Sequence, residues 1–324
     1  MSNKNYHFII GIPRSGTSLL CFILNKNKNV LALHEPKQAA KVIKDFIGNK
    51  QNLPITKSYF NSIDDFKNVQ ESPYKLNNNQ LNKALTFSAD NNTPEKVCFN
   101  IGLSFEFLNK KNTEIETVVD KNPSYIFRID ELVQSFPNSK FIIMTRDYRG
   151  FALSKMEKSH PDNLIHKFWH QGRIWNYWHK YIFKAINKYP EQCKLVTYED
   201  LTLSPEPTVQ RICEFLDINF NQGMLFTEDL ELKKHVDIAS FSQRKKTKYD
   251  DLSKPINTER FEAWKTKLTD KEIAILDSLC SKYGPKLGYK PYRSTNFLNR
   301  LFYKTISLSS IFAMYVNKRI IKKI

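Results

Sequence analysis

The sequence predicts an α/β fold with a mostly parallel central sheet and helices on both faces. One observation is the order of elements near the start, where the apolar run Phe8–Ile10 indicates a buried strand, a glycine-bearing loop follows, and Thr17–Leu24 indicates a helix. The other is that further short apolar runs alternate with helical segments, as strands do in α/β domains. These runs are Val30–Leu33, Thr117–Val119, Lys140–Thr145 and Lys194–Thr197.

The loop after the first predicted strand has the spacing of a phosphate-binding loop. Gly11-x4-Gly16-Thr17-Ser18 matches the P-loop at every fixed position except one, because Thr17 stands where the P-loop has lysine. In such a loop the backbone N–H groups and a helix N-terminus converge on an anion. Arg14 and Ser15 add a cation and a hydroxyl. The loop therefore suits a phosphate or sulfate better than a triphosphate–metal reaction, and an ordinary strand-to-helix turn is the alternative.

Residues 11–20, Gly-Ile-Pro-Arg-Ser-Gly-Thr-Ser-Leu-Leu, closely resemble the 5′-phosphosulfate loop of the sulfotransferases. That family uses 3′-phosphoadenosine 5′-phosphosulfate (PAPS) as its sulfuryl donor. The form found here is similar to the branch that contains tyrosylprotein and many bacterial carbohydrate sulfotransferases. The resemblance implies a P-loop-like sulfotransferase topology and donor binding by Arg14, Ser15, Gly16, Thr17 and Ser18.

The second predicted strand ends in His34-Glu35-Pro36, at the edge of the sheet where open α/β folds place ligands. Glu35 matches the glutamate that serves as general base in the tyrosylprotein branch. His34 is the rival base, because an unperturbed imidazole titrates near neutral pH. The alternative for Glu35 is a solvent-facing residue before a proline turn.

The third apolar run ends in Asp120-Lys121-Asn122-Pro123, and the branch that this chain resembles carries a Lys-x-Pro at the same place. The resemblance implies that Lys121 lies near the oxygen that bridges sulfate and 5′-phosphate, so that Lys121, Glu35 and Arg14 form the catalytic set. Taken alone, Lys121 would be a surface lysine.

The fourth run, Lys140–Thr145, is followed by Arg146, and Ser154 comes eight residues later in a predicted helix. This Arg-x7-Ser spacing resembles the 3′-phosphate site of the family. A guanidinium binds phosphate through charge-assisted hydrogen bonds, and a hydroxyl adds one more. The sequence thus predicts a second anion site for the same donor.

Two later segments carry weaker signals. Residues 166–183 have an aromatic face at helical spacing, which predicts core packing rather than a sugar-stacking platform, and their three histidines do not form a convincing metal set. The fifth run leads into Tyr198-Glu199-Asp200-Leu201, and the resemblance places Tyr198 near the nucleotide. Ser253–Asn257 resembles a late loop of the branch, which implies that Lys254 closes over the donor.

Together these motifs predict in-line sulfuryl transfer from PAPS to an acceptor hydroxyl, with adenosine 3′,5′-bisphosphate as product and no metal required. A carbohydrate or lipid acceptor is favoured over a tyrosyl peptide. Two alternatives stay open. A P-loop-like kinase would need a replacement for the missing lysine and a magnesium-binding aspartate. A non-catalytic nucleotide- or membrane-binding protein is expected if Glu35 or Lys121 points away from the loop.

Composition sets the remaining expectations. The 324 residues carry a formal charge of +17, but no nucleic-acid-binding motif is recognisable. Five scattered cysteines favour a reducing compartment, and the chain runs straight into its first strand, so we expect no signal peptide and a cytoplasmic protein. We divide the chain into a domain over residues 1–292 and a basic amphipathic extension over residues 293–324, which either contacts a membrane face or packs on the domain or on a dimer partner.

Overall fold

The computed structural model describes residues 4–48, 75–76, 79, 93–106, 114–157, 168–226 and 260–292. Its strands are β1 (Asn5–Gly11), β2 (Val30–His34), β3 (Lys75–Leu76), β4 (Phe105–Glu106), β5 (Thr117–Lys121), β6 (Phe141–Thr145) and β7 (Cys193–Thr197). Five of them form one sheet in the order β2-β5-β1-β6-β7, and every pairing in it is parallel. β3 and β4 form a separate antiparallel pair. The five strands predicted from the sequence are confirmed.

The helices connect and cover these strands. They are α1 (Thr17–Asn25), α2 (Lys37–Gly48), α3 (Pro94–Gly102), α4 (Ile129–Ser135), α5 (Tyr148–Met156), α6 (Phe168–Lys188), α7 (Tyr198–Leu203), α8 (Pro205–Leu216), α9 (Ala263–Lys267) and α10 (Asp270–Leu279). Short 3-10 segments cover Pro123–Arg128, Gln222–Leu225 and Pro285–Leu287.

Helix starts follow ordinary capping chemistry. The side chains of Asp147 and Thr197 accept hydrogen bonds from backbone N–H groups in the first turns of α5 and α7. Thr269 and Glu272 form a reciprocal capping box at the start of α10. Asp147 lies two residues after the end of β6, and Thr197 is the last residue of β7, so these two caps fix the point at which each strand passes into its helix.

Hydrophobic clusters lie on both faces of the sheet. Phe8 and Ile10 of β1 belong to the larger cluster, whereas Ile9 between them belongs to the second, because successive strand residues point to opposite faces. The larger cluster includes Trp175 of α6, and the second includes Leu20 of α1 with residues of α8. Each such fully buried side chain contributes about 1.5–3 kcal/mol relative to exposure. The predicted helices on both faces are confirmed.

The aromatic segment forms α6, which begins at Phe168, and its core-packing interpretation is confirmed at the fully buried Trp175. His179 stacks on the Trp175 ring at 3.5 Å, donates from Nδ1 to the Trp175 carbonyl and accepts from the Thr145 hydroxyl. Burial lowers the pKa of His179 to about 3. In the part of the chain that the structure describes, no group of three or more His, Cys, Asp or Glu side chains is placed to hold a metal ion.

Within the described ranges, no helix combines the length and apolarity that crossing a membrane requires. The predicted extension over residues 293–324 lies outside the described residues, so the division of the chain at residue 292 stays a prediction.

Candidate active site

The loop between β1 and α1 is tight because two glycines lie against neighbouring strands and helices. Gly11 has φ +119°, and a Cβ there would come within 2.2 Å of the Met144 carbonyl oxygen of β6. Gly16, with φ +83°, caps α1, and a Cβ there would come within 2.8 Å of the Tyr198 ring. Neither position accepts a larger residue without movement of its neighbours. The loop is thereby fixed at the carboxyl edge of the sheet.

Inside this loop, Arg14 also has a left-handed backbone, with φ 69°, a conformation that costs about 1–3 kcal/mol in a non-glycine residue. Ser15 is fully buried, and its hydroxyl donates to the Ile12 carbonyl at 2.5 Å, so the side chain supports the loop itself. Arg14 Nε donates to the Ser154 hydroxyl of α5 at 3.1 Å. The two anion motifs found in the sequence therefore meet in the structure.

Arg146, directly after β6, is 6% exposed. Its Nη1 donates to the Arg14 carbonyl at 3.3 Å, and its Nη2 donates to the Arg260 carbonyl at 2.8 Å. The guanidinium lies over the Tyr198 ring at 4.1 Å, and the Trp175 indole N–H donates to the Arg146 carbonyl at 2.8 Å. Arg146 Nε has no hydrogen-bond partner among the described residues. A buried, oriented cation with an unused donor suits an anionic ligand.

A network of charges holds α5 against the later helices. Arg149 donates from Nε and Nη2 to the two carboxylate oxygens of Asp147 at 2.9 and 2.7 Å. Its Nη1 lies 3.6 Å from the Asp277 carboxylate of α10, and its guanidinium lies 4.1 Å from the Trp264 ring centre of α9. Because α5 carries Ser154, this buried network fixes the position of that hydroxyl relative to the loop.

On the other side of β1, Lys121 ends β5 and is 2% exposed. Its ammonium donates to Glu35 Oε1 at 2.5 Å and lies 3.3 Å from His34 Nε2. The same His34 nitrogen lies 2.7 Å from the Ser18 hydroxyl of α1. Glu35 has φ 55°, and its side chain is 53% exposed. A buried cation, a solvent-facing carboxylate and the end of the phosphate loop thus form one connected group.

Asp120, next to Lys121 on the strand, points into the core instead. Its Oδ2 accepts from the hydroxyls of Tyr6 and Tyr125 at 3.1 and 3.4 Å. Burial raises the pKa of Asp120 to about 7, although the two hydroxyls oppose the shift. We assign Asp120 to the core rather than to the site.

A family model described as "Sulfotransferase family" matches residues 7–222. The chain belongs to the sulfotransferase family. The matched region contains the loop, Glu35, Lys121, Arg146 and Tyr198.

Two relatives that are named as sulfotransferases match most of the chain. The "Protein-tyrosine sulfotransferase" of Drosophila melanogaster is 23% identical over 295 residues, which are 88% of this chain and 52% of that protein. The "Protein-tyrosine sulfotransferase 1" of Danio rerio is 23% identical over 298 residues, 88% of this chain and 72% of that protein. The chain therefore spans about half the length of the Drosophila relative.

A solved structure shows the same fold. The sulfotransferase domain of the olefin synthase from Synechococcus PCC 7002 superposes with a TM-score of 0.55 at 18% identity, covering 90% of this chain and 97% of that domain. At this identity the likeness concerns the fold alone. The family resemblance and the P-loop-like sulfotransferase topology predicted from the sequence are confirmed.

Of the residues that the sulfotransferase resemblance selected, all but one lie at this edge of the sheet. They are Arg14, Ser15, Gly16, Thr17, Ser18, Glu35, Lys121, Arg146, Ser154 and Tyr198. Lys254 lies outside the described residues. The catalytic and donor-binding roles of the set stay predictions, since position alone does not test them.

Sequence reasoning missed two supports of Arg146. The carbonyl of Arg260 orients its guanidinium, and the Trp175 indole orients its backbone. A backbone carbonyl carries no residue-type signal, so the Arg260 contact was not predictable. The Trp175 contact had one available signal, because a fully buried tryptophan usually finds a hydrogen-bond acceptor for its N–H.

Proposed function

We propose that this protein transfers the sulfuryl group of PAPS to an acceptor hydroxyl and releases adenosine 3′,5′-bisphosphate. The observation that carries the proposal is the junction of two separate anion sites. Arg14 of the phosphate loop bonds to Ser154, and Arg146 bonds to the Arg14 carbonyl. PAPS has a 5′-phosphosulfate and a 3′-phosphate on one ribose, so a donor of this kind needs two such sites side by side.

The residues present fit this donor. Gly11 and Gly16 let the loop pack closely against β6 and Tyr198, and a glycine-bearing loop that leads into a helix can present its backbone N–H groups to an anion. The buried guanidinium of Arg146 adds a fixed positive charge beside Arg14, to whose carbonyl it donates. Thr17 replaces the lysine that a triphosphate would require, which favours PAPS over ATP.

Lys121 has the geometry to act on a leaving oxygen. Its ammonium has three N–H bonds, of which Glu35 and His34 occupy two, and the third has no partner among the described residues. In a site where Lys121 is 2% exposed, a positive charge stabilises developing negative charge far better than it does in water. We therefore assign Lys121 to the bridging oxygen of the donor.

Glu35 is suited to take the proton of the acceptor. Its carboxylate is half exposed, so an incoming hydroxyl can reach it, while Lys121 holds it at the edge of the loop. A positioned general base contributes about 10²–10⁴-fold in rate. This arrangement disfavours the non-catalytic alternative, which required Glu35 or Lys121 to point away from the loop.

The acceptor class is the finer part of the proposal. The sequence favoured a carbohydrate or lipid hydroxyl, whereas the relatives from Drosophila melanogaster and Danio rerio are named protein-tyrosine sulfotransferases. Those names support a tyrosyl hydroxyl as an acceptor of this chain as well, so the test must contain all three classes.

The experiment is transfer of label from ³⁵S-PAPS to tyrosyl peptides, oligosaccharides and glycolipids, with γ-³²P-ATP as a parallel donor. We expect label to move from PAPS and not from ATP, and to be lost in Lys121→Ala. Lys184→Ala, which removes an exposed lysine of α6, serves as the charge-matched control. Transfer from ATP would favour the kinase alternative, and equal turnover by Lys121→Ala and the intact chain would refute the assignment of Lys121.

A further inference from the structure

His34 lies where the phosphate loop and the Lys121–Glu35 pair meet. In the parallel ladder between β2 and β5, His34 is the register partner of Lys121, so the two side chains leave the sheet beside one another. The side chain of Ser18, in the first turn of α1, reaches the same place. His34 Nε2 lies 2.7 Å from the Ser18 hydroxyl and 3.3 Å from Lys121 Nζ.

The partners of Nε2 determine the protonation state of the ring. The ammonium of a lysine only donates hydrogen bonds, and Lys121 donates to Glu35 and lies within hydrogen-bond distance of His34 Nε2. Nε2 must then offer its lone pair, which places the ring proton on Nδ1. With no proton on Nε2, the Ser18 hydroxyl is also a donor to it. The geometry therefore requires a neutral His34.

A neutral acceptor at this point limits the motion of Lys121. Glu35 is half exposed, so on its own it would let the ammonium swing with the carboxylate. His34 lies on the strand itself and holds the ammonium from a second direction, which leaves the third N–H in a fixed direction. Charge stabilisation depends on such fixed positions, and a displacement of about 1 Å costs up to about 10²-fold in rate.

We propose that His34 is a positioning residue, whose neutral imidazole accepts hydrogen bonds from Lys121 and Ser18 at Nε2 and thereby aligns the Lys121 ammonium with the phosphate loop. The rate consequence rests on the proposed sulfuryl transfer, whereas the contact itself does not. In this proposal the general base is Glu35 and not His34, because His34 makes no bond to the acceptor and takes no proton from it.

The contact is tested first without turnover, by NMR of protein labelled with ¹⁵N in its seven histidine rings. His34→Gln identifies the His34 signals by removing them. Two rings act as internal references, since His179 carries its proton on Nδ1 and His7 accepts the Lys140 N–H at Nδ1 and so carries it on Nε2. We expect the His34 signals to match His179 at neutral pH. A match to His7, or a doubly protonated ring, would overturn the proposal.

The rate consequence is tested with a matched pair of variants. The Gln side-chain oxygen extends about as far as Nε2 and can accept from Lys121, whereas the Asn oxygen is one methylene shorter. We expect His34→Asn to lower kcat by about 10–10²-fold, with little change in the affinity for adenosine 3′,5′-bisphosphate, and His34→Gln to restore most of kcat.

Equal kcat in His34→Asn and the intact chain would overturn the positioning role. So would a Gln variant as slow as the Asn variant, since the acceptor atom would then be irrelevant. An intact chain that does not consume PAPS would refute the proposed function instead, and the ring tautomer would still decide whether the His34–Lys121 contact exists.

Discussion

Replacing Arg146 with alanine tests the proposed 3′-phosphate site separately from the proposed 5′-phosphosulfate site. The guanidinium is 6% exposed, lies over the Tyr198 ring and keeps its Nε unused. Adenosine 3′,5′-bisphosphate presents a 3′-phosphate to it, whereas adenosine 5′-phosphate does not. We therefore expect the variant to lose affinity for the bisphosphate and to keep its affinity for the monophosphate.

The size of the loss follows from the number of bonds available. A hydrogen bond to a charged group contributes about 1.5–3 kcal/mol, and we expect the guanidinium to make one such bond to the 3′-phosphate. The corresponding loss of affinity is about 10- to 150-fold. The same substitution also removes the hydrogen bonds to the Arg14 and Arg260 carbonyls, so we expect the variant to lose folding stability as well.

Calorimetric titration with each nucleotide measures the affinities of the variant and of the intact chain. Urea unfolding shows under which conditions the variant is folded. Arg146→Lys is the second variant, because it keeps the charge and most of the stability but loses the planar donor group. Arg211→Ala removes the same charge at an exposed position of α8 and should change neither affinity. Equal losses for the two nucleotides would remove Arg146 from the 3′-phosphate site.

Three further outcomes are expected. Glu35→Gln should lower kcat by about 10²–10⁴-fold with donor affinity nearly intact, and steady-state kinetics in which His34→Ala is the more damaging change would reassign the base. Burial raises the pKa of Asp120 from 3.8 to about 7, so its stabilising contribution is complete below the unfolded pKa and is lost as pH rises through about 7. Urea unfolding should therefore show the intact chain losing stability relative to Asp120→Asn between about pH 4 and pH 7, and parallel curves would contradict this. Deleting residues 293–324 should abolish salt-sensitive co-sedimentation with anionic vesicles and leave donor binding unchanged, whereas unaltered sedimentation would argue against membrane contact.

The residues near the ends of the strands were predictable from the sequence, because the apolar run and the polar residue that follows it are local signals. An apolar run followed by a polar residue marks the carboxyl end of a strand, and in a parallel sheet all such ends share one edge. This reasoning placed Glu35, Lys121 and Arg146 at strand ends, and the sulfotransferase resemblance selected them as site residues. Three predicted ends fall short of the observed ones: β1 and β2 each continue for one more residue, to Gly11 and His34. The run Thr117–Val119 continues for two, to Lys121, where pairing with both β1 and β2 extends the strand beyond its apolar residues.

Contacts between these residues were not predictable, because they depend on strand order and register. His34 touches Lys121 only because β2 pairs with β5 rather than with β1, which precedes it in the chain. Arg146 lies over Tyr198 because β6 and β7 are neighbours. Neither pairing has a local signature, so the positioning role of His34 emerged from the structure, and the sequence suggested only a rival base.

The strand order also divides the site by function. β1 lies between β5 and β6, so its loop has the Lys121–Glu35 pair on one side and Arg146 on the other. The first side carries a charge and a base suited to the reacting oxygens, and the second carries a buried cation suited to a phosphate far from them. Binding energy gained at the second side can hold the donor without being altered by the reaction. Substitutions near Lys121 should therefore act on kcat, and substitutions near Arg146 on donor affinity.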